Sequence, residues 1–247
     1  MNNIIEKIPK KIHYCWFGKN PKSELINKCI NSWKQYLPDY EIIEWNEDNF
    51  DFNCNAYVAE AYRAKKWAFV ADYVRLWAVY NFGGIYFDTD VELIKSIDKL
   101  LCMDAFFCYE KEKINTGLGF GSCKHNKILK ELMDIYDKKS FLLENGKYDL
   151  TTCVNISKAV FENFLGEFIN PKQIVTLDNV TFFPDEYFCP LDYDTRELKI
   201  TDNTYAIHWY GESWLPSKVK FIKKIKSLIR KIIGDNRFNY IKKFLKR

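Results

Sequence analysis

The pattern of apolar and polar positions at the start of the chain predicts a strand, a helix and a second strand. Residues 10–17 read as a strand, and Ser23 is a suitable N-cap for a helix over 24–36, whose apolar residues recur at helical spacing. Residues 40–45 then read as the next strand. This order is typical of the beginning of a parallel α/β sheet.

The stretch 56–92 contains the residues around which we expect the rest of the chain to be organised. Residues 56–81 are apolar almost all round, which predicts one long helix packed between other elements. Asp72 and Arg75 are the charged residues of its second half, 67–81. Three residues apart, they share a face and either pair with each other or face a polar ligand. Two glycines and a short apolar strand, 85–87, lead from this helix to Asp88-Thr89-Asp90.

The later part of the main body predicts further strands and two helices. We expect 1–216 to form one α/β domain, because it has no internal repeat or low-complexity tract. The predicted strands are 102–110, 174–177, 180–183 and 205–208, with a strand or loop at 117–122, and the predicted helices are 125–136 and 152–164.

The composition changes at residue 217. The segment 217–247 has twelve Lys or Arg and one acidic residue, whereas the preceding 216 residues have 25 basic and 32 acidic ones, a net charge of −7. Isoleucines at helical spacing among these lysines predict a basic amphipathic helical tail, which suits an anionic membrane surface. A helix packed against the domain is the alternative, and the acidic body argues against nucleic acid as a partner.

Bulk composition bounds the class of protein. Of the 247 residues, 47% are hydrophobic and 17% aromatic, which is typical of a packed, globular chain. The chain lacks a run of 18 apolar residues and a recognisable signal peptide, so we expect a cytoplasmic protein, peripheral at the inner face of the cell membrane. Its eight cysteines are scattered without a C-x-x-C pair, which indicates reduced thiols rather than a zinc site.

Three places carry candidate chemistry. Asp88 and Asp90 at one strand tip would repel each other unless a cation such as Mg²⁺ or Mn²⁺ lay between them; such an ion could also bind a diphosphate. The alternative is a solvated surface turn. His208, in the aromatic segment 208–214, is a competent metal ligand or part of an aromatic packing corner. Trp16, at the carboxyl end of the first strand, could stack on a nucleobase or belong to the core.

These residues stand in an order that resembles a known family. The order is I-P-K-K-I-H-x-x-W-F-G, then A-D-Y-V-R-L-x-x-x-Y-x-x-G-G-I-Y-F-D-T-D-V, then A-I-H-x-x-x-x-S-W. It resembles bacterial and fungal glycosyltransferases with a "DXD" sugar-binding region, the capsular polysaccharide and mannosyltransferase-like enzymes. At greater distance it is similar to the glucosylating domains of clostridial toxins.

The resemblance implies a fold, a reaction and a role. The fold would be of the GT-A type, a single Rossmann-like mixed sheet flanked by helices. The reaction would be retaining hexosyl transfer, dependent on Mn²⁺ or Mg²⁺, from a nucleotide-sugar, a UDP-sugar by expectation. The acceptor would be a saccharide or lipid-linked saccharide in capsule or O-antigen synthesis. A toxin-like effector that modifies a protein, a metal-dependent D-x-D phosphatase-type hydrolase and a membrane-bound scaffold stay open as alternatives.

The resemblance also implies roles for individual residues. Trp16 would stack on the base, Asp90 would bind the metal, and His208 would be a further ligand. Where relatives have Thr-Gly-Pro and His-Pro, this chain has Thr151-Thr152-Cys153 and His125-Asn126, which leaves the sugar open. The implied catalytic residues are Asp88, Asp90 and Arg75; the donor-binding ones are Trp16, Asp72, Arg75, Tyr86, Asp88, Asn115, Asn155, Ser213 and Trp214; the metal ligands are Asp90, His208 and Asp88.

Overall fold

A mixed sheet flanked by helices forms the centre of the protein, as seen in a computed structural model that describes residues 6–211. The predicted mixed α/β fold is confirmed. The strands are β1 Lys11–Cys15, β2 Glu41–Trp45, β3 Gly84–Tyr86, β4 Val91–Leu93, β5 Ala105–Glu110, β6 Lys113–Ile114, β7 Phe120–Ser122, β8 Val175–Leu177, β9 Val180–Phe183 and β10 Ala206–His208. The helices are α1 Glu24–Tyr36, α2 Ala56–Arg63, α3 Trp67–Phe82, α4 Lys127–Asp137, α5 Cys153–Leu165 and α6 Asp185–Phe188.

The main sheet has the strand order β2-β1-β3-β7-β5-β9-β8, with β6 paired to β5. Strands β1, β2 and β3 are parallel, as are β5 and β9, whereas β7 is antiparallel to both β3 and β5. Alternate residues of β5 belong to two different cores: Phe107 packs in the core that includes α3, and Phe106 in the core that includes α1. Such alternation is expected of a strand that is covered on both faces.

The predicted first helix is confirmed at both ends. The Ser23 hydroxyl accepts a hydrogen bond from the Ile26 amide at 3.4 Å, and α1 ends at Tyr36, one residue before Leu37-Pro38. The strands on either side of it are parallel and in register, with Lys11 opposite Glu41. The local capping and stop signals were therefore sufficient here.

The prediction of one helix over 56–81 is wrong. The chain forms α2 and α3 with a break at 64–66, where Lys65 has a left-handed φ of 56°. The Asn55 side chain caps the start of α2 by accepting from the Val58 amide at 3.2 Å. The break escaped prediction because both helices are largely apolar and no Gly or Pro marks the turn.

A second, two-stranded sheet lies beside the main one. Strands β4 and β10 pair antiparallel, with His208 opposite Val91. The single sheet of the sequence prediction is thus extended by a small one, which carries the later part of the chain to the tip that follows β3.

The later predicted strands and helices are confirmed. All of them are present within a few residues of their expected bounds, and 117–122 contains a strand, β7. All eight cysteines are free, four of them buried. No helix within 6–211 is long and apolar enough to cross a membrane. The expected tail, 217–247, and the donor-binding candidates Ser213 and Trp214 lie outside the described residues.

Candidate active site

The acidic tip lies where β3 leaves the main sheet. Gly83 and Gly84 have φ of 63° and 109°, and a Cβ on Gly84 would lie 2.7 Å from the Lys11 carbonyl oxygen, so β3 can approach β1 only with glycine there. His13 fixes this turn from β1: its Nε2 donates to the Gly83 carbonyl at 2.8 Å, and its Nδ1 accepts from Trp45 at 3.2 Å. Burial lowers the pKa of His13 to about 4, so it is a neutral core residue.

Arg75 links two carboxylates below the tip. Its guanidinium lies 2.9 Å from Asp72 and 3.3 Å from Asp88, and its Nε donates to the Ala71 carbonyl at 3.1 Å. The ion pair predicted for Asp72 and Arg75 is present in the structure, and their contact with a polar ligand stays a prediction. It extends to Asp88, which the sequence could not show because β3 brings that residue to α3.

Tyr86 supports the same group from the last position of β3. Its hydroxyl donates to Asp88 Oδ1 at 2.8 Å, and the Arg75 guanidinium carbon lies 5.0 Å from its ring centre. Tyr86 is almost completely buried. We therefore expect it to affect a ligand through Asp88 and Arg75 rather than by direct contact.

The cluster has one reachable carboxylate and two enclosed charges. The Asp88 side chain is 30% exposed, whereas that of Arg75 is 4% exposed. Burial raises the pKa of Asp72 to about 6 and also raises the pKa of Asp88, although Arg75 opposes both shifts. A ligand that approaches from solvent would thus meet Asp88 first.

Asp90 is held by the loop that follows β10. Its Oδ1 lies 3.4 Å from His208 Nε2, its Oδ2 accepts from the Gly211 amide at 2.6 Å, and its carbonyl accepts from the Trp209 amide at 2.9 Å. Burial acts to raise the pKa of Asp90, but His208 and the Gly211 amide outweigh it and hold that pKa below its usual value. Burial opposes charging of His208, yet Asp90 raises the pKa of the imidazole well above its usual value.

The donor set at Asp90 fits part of a divalent metal site. A carboxylate and an imidazole are together, which suits Mn²⁺, and both side chains keep some exposure. Asp88, the other predicted ligand, is engaged with Arg75 and Tyr86, and within 6–211 there is no group of three His, Cys, Asp or Glu side chains placed to hold a metal. Mg²⁺ and Mn²⁺ sites often use one or two protein ligands and complete the shell with substrate phosphates and water. The residues fit an ion that arrives with a diphosphate.

Glu110 and Gly117 complete the site, and the sequence had assigned a role to neither. The Glu110 carboxylate accepts from Asn115 at 2.6 Å and from the Tyr210 hydroxyl at 2.9 Å, so it joins the loop after β6 to the loop after β10. The Asn115 Oδ1 accepts from the Gly117 amide at 2.8 Å, and the Gly117 carbonyl accepts from the Asp88 amide at 3.2 Å. A chain of hydrogen bonds therefore connects the surroundings of Asp88 to those of Asp90.

Gly117 lies directly against the ionic cluster. A Cβ on this residue would stand 2.4 Å from Asp88 Oδ2, 3.0 Å from Arg75 and 3.1 Å from Asn115 Oδ1. The glycine spacing of 117–122 was visible in the sequence, but its reason was not. Glu110 had no sequence signal, since its role depends on three segments meeting.

Asn115, Asn155 and Trp16 occupy different positions around this centre. Asn115 is part of the site through Glu110 and Gly117. Asn155 lies in the first turn of α5, where its Oδ1 accepts from Lys113 at 2.9 Å. The Trp16 indole donates to the Asn20 carbonyl at 2.8 Å and has Lys22 Nζ 5.5 Å from its ring, so a base that stacked there would share the face with a lysine. The donor roles of Trp16 and Asn155 stay predictions.

The acidic tip and its helix lie within a segment that matches a family model. Residues 23–107 match "Glycosyltransferase sugar-binding region containing DXD motif". The resemblance stated from the sequence is confirmed over this segment, which contains Asp72, Arg75, Asp88 and Asp90.

Two curated relatives share part of this region. The chain is 29% identical over 120 residues to inositol phosphoceramide mannosyltransferase 1 of Schizosaccharomyces pombe, which covers 44% of this chain and 36% of the relative. It is 30% identical over 111 residues to inositol phosphoceramide mannosyltransferase 3 of the same yeast, covering 40% and 29%. The chain thus matches about a third of the length of each.

Solved structures with a similar arrangement include two glycosyltransferases. One is the PaToxG glycosyltransferase, with a TM-score of 0.49 and 19% identity over 66% of this chain and 71% of the other. The other is involved in the glycosylation of the major capsid of PBCV-1, with a TM-score of 0.46 and 13% identity over 87% and 98%. The mixed sheet flanked by helices, which the sequence resemblance implies, is present in this chain.

Proposed function

We propose that this protein is a metal-dependent, retaining glycosyltransferase that moves a hexose from a UDP-sugar to a saccharide or lipid-linked saccharide. The observation that carries the proposal is the acidic tip itself. Asp88 and Asp90 follow β3 inside the matched DXD region, and β10 delivers His208 to Asp90. The mannosyltransferase relatives support transfer of a sugar.

The two carboxylates would bind different parts of the donor. Asp90 and His208 would hold a Mn²⁺ or Mg²⁺ ion, which supplies positive charge to the diphosphate leaving group. Asp88, the reachable member of the ionic cluster, would accept hydrogen bonds from hydroxyls of the ribose or the sugar. Arg75 and Tyr86 would keep the Asp88 carboxylate fixed while it does so, because both bind its Oδ1.

Sugar transfer at this site would proceed by attack on the face that the diphosphate leaves. The acceptor oxygen forms a bond to the anomeric carbon, the bond from that carbon to the phosphate oxygen breaks, and the acceptor proton passes to a phosphate oxygen. Asp72, Asp88 and Asp90 are each already bound to a cation or to amide donors. That engagement favours them as binding groups over a covalent nucleophile.

The role we propose is in surface polysaccharide synthesis, capsule or O-antigen, at the inner face of the cell membrane. The support is the resemblance of the quoted motifs to capsular enzymes, together with the inositol phosphoceramide in the names of the two relatives. A lipid-linked saccharide would place the acceptor of this protein at a membrane surface.

Hydrolysis of a panel of UDP- and GDP-sugars with and without Mn²⁺ tests the proposal, since transferases of this kind often cleave their donor slowly without an acceptor. Replacing Asp90 by Asn should abolish metal-dependent hydrolysis and leave the thermal unfolding transition in place. Asp202→Asn is the matched control, because Asp202 is exposed and lies in a loop. Turnover near normal in the Asp90 variant would contradict the metal assignment, and no cleavage of any donor by the wild type would contradict the function.

A further inference from the structure

Four large apolar side chains are exposed on one hairpin between α4 and α5. They are Leu142, Leu143, Tyr148 and Leu150, with exposures of 48%, 41%, 44% and 57%. Leu142 and Tyr148 form an antiparallel bridge, and the turn is closed by the Gly146 amide, which donates to the Leu143 carbonyl at 2.9 Å. Single exposed apolar residues are common, but four within nine positions form a patch that calls for a partner.

The hairpin keeps its shape without burying these four side chains. Phe141 at its base is fully buried and packs against Tyr57 and Phe69, with ring centres 5.4 and 5.2 Å away. The Asp149 amide donates to the Phe141 carbonyl at 2.8 Å, and the Leu142 amide donates to the Glu60 carboxylate at 2.8 Å. The fold holds the hairpin by its base, so the tip is presented to the outside.

Basic residues outnumber acidic ones around the apolar tip. Segment 138–150 has three lysines and two acids, Glu144 and Asp149, and Asp149 is paired with Lys139 at 2.7 Å. Lys65 and Lys66, in the break between α2 and α3, are exposed as well, and Lys66 Nζ lies 6.0 Å from the Tyr148 ring centre. An apolar tip with a basic rim is the composition of segments that lie in the interface of an anionic membrane.

The same hairpin ends beside the candidate active site. It continues into Thr152 and Cys153, and the Cys153 thiol is a hydrogen-bonding neighbour of Asp72. At its base, Phe141 packs against Phe69, which lies one helical turn before Asp72 on α3. A surface bound at the tip would therefore lie near the ionic cluster.

We propose that this hairpin docks the protein onto an anionic lipid surface, with Leu142, Leu143, Tyr148 and Leu150 in the interface and Lys66 and Lys147 against the headgroups. A second copy of the chain is disfavoured as the occupant, because it would bring two basic rims together. Docking itself stands on the geometry of the hairpin. Its use, to meet a lipid-linked acceptor, rests on the proposed function.

Co-sedimentation of the full chain with vesicles of equal parts phosphatidylcholine and phosphatidylglycerol tests this docking. The assay is run at low salt and at about 1 M NaCl, where the Debye length is about 3 Å and attachment through exposed charges alone is screened. The wild type should bind at both. Leu142→Ser/Leu143→Ser should weaken binding at high salt at least about tenfold. Each leucine would bury the roughly half of its side chain that is exposed in solution, and serine cannot replace that apolar contact.

The chain offers a closely matched control. Leu198→Ser/Ile200→Ser removes side chains with exposures of 39% and 54%, and Leu198, like Leu142, belongs to an isolated bridge. This variant should bind vesicles like the wild type. Equal binding by the hairpin variant, or no binding by the wild type, would overturn the proposal. Concentration-dependent dimerisation that only the hairpin variant loses, without vesicle binding, would assign the patch to a second copy.

Vesicle binding also separates this proposal from the proposed function. The assay contains no sugar donor, so it reports docking even if the protein transfers no sugar. Conversely, donor hydrolysis in solution by the hairpin variant should equal that of the wild type. A loss of hydrolysis in that variant would show that the hairpin shapes the active site, which contradicts a role in docking alone.

Discussion

Replacing Gly117 by Ala should disable the active site while leaving the fold almost unchanged. Gly117 does not have a positive φ, so alanine introduces no backbone strain. The new methyl group would, however, stand 2.4 Å from Asp88 Oδ2. An ordinary contact between a carbon and an oxygen is longer by roughly 1 Å, so one of the two groups must move by that amount.

The carboxylate is the group that can move. The Gly117 backbone is held through its amide by Asn115 and through its carbonyl by the Asp88 amide. Rotation of the Asp88 side chain would break its contacts with Tyr86 and Arg75. A displacement of about 1 Å at a substrate-positioning group costs on the order of 100-fold in rate. We expect donor hydrolysis to fall by that factor.

Steady-state donor hydrolysis measures the activity of the variant, and urea unfolding measures its stability. Unfolding free energy should drop by about 1–3 kcal/mol, because the buried Tyr86 hydroxyl and the Arg75 guanidinium would each lose a partner. Gly146→Ala is the control: its Cβ would meet nothing within 4 Å, but its φ is 74°, so it should lose roughly 1–2 kcal/mol of stability and no activity. Hydrolysis at the wild-type rate by the Gly117 variant would refute the reasoning that Asp88 must keep its present position.

Two further predictions address residues that support the site. Glu110→Ala should reduce donor hydrolysis about tenfold, because the loops after β6 and β10 lose the carboxylate that both of them bind. Glu110→Gln should keep part of the activity, since its amide can accept from Asn115 and donate to Tyr210. Equal rates for the two variants would contradict a positioning role. His13 stays neutral in the fold with a pKa of about 4, against about 6.5 when unfolded, so stability is lost as the pH falls below 6.5. From pH 7.5 to 4.5 the wild type should lose about 2.5 kcal/mol more free energy of unfolding than His13→Gln, measured by urea unfolding. An identical pH dependence in both proteins would show that His13 is not the cause.

The parts of the fold that could be predicted from sequence are those with local signals. Helix α1 is bounded by a serine cap and a proline stop, and its predicted limits are correct. The break at 64–66 has no such signal. Lys65 has a left-handed φ there, and a lysine does not predict that conformation in the way that a glycine would. Hydrophobic periodicity therefore gave the elements but not every boundary.

The candidate site was predictable where one segment carried it and not where several segments meet. Asp88 and Asp90 could be proposed as a pair because one turn contains both. Which of them Arg75 would bind depended on where β3 lies against α3, and the proximity of His208 to Asp90 depended on the pairing of β10 with β4. Such long-range pairings are set by the whole sheet. Glu110 shows the limit, since both of its partners lie in loops.

The two carboxylates of the tip are prepared for different partners, although they stand two residues apart. Oδ1 of Asp88 is committed to Arg75 and Tyr86, which leaves Oδ2 as the oxygen free to face a ligand, next to Gly117. Asp90 faces an amide and the imidazole of His208, which can give up its proton, whereas the charge of Arg75 is permanent. A divalent ion could replace the contact between Asp90 and His208 by binding both, whereas at Asp88 it would have to compete with a buried guanidinium. This difference supports our proposal that Asp90 binds the metal and Asp88 binds the hydroxyls of the donor.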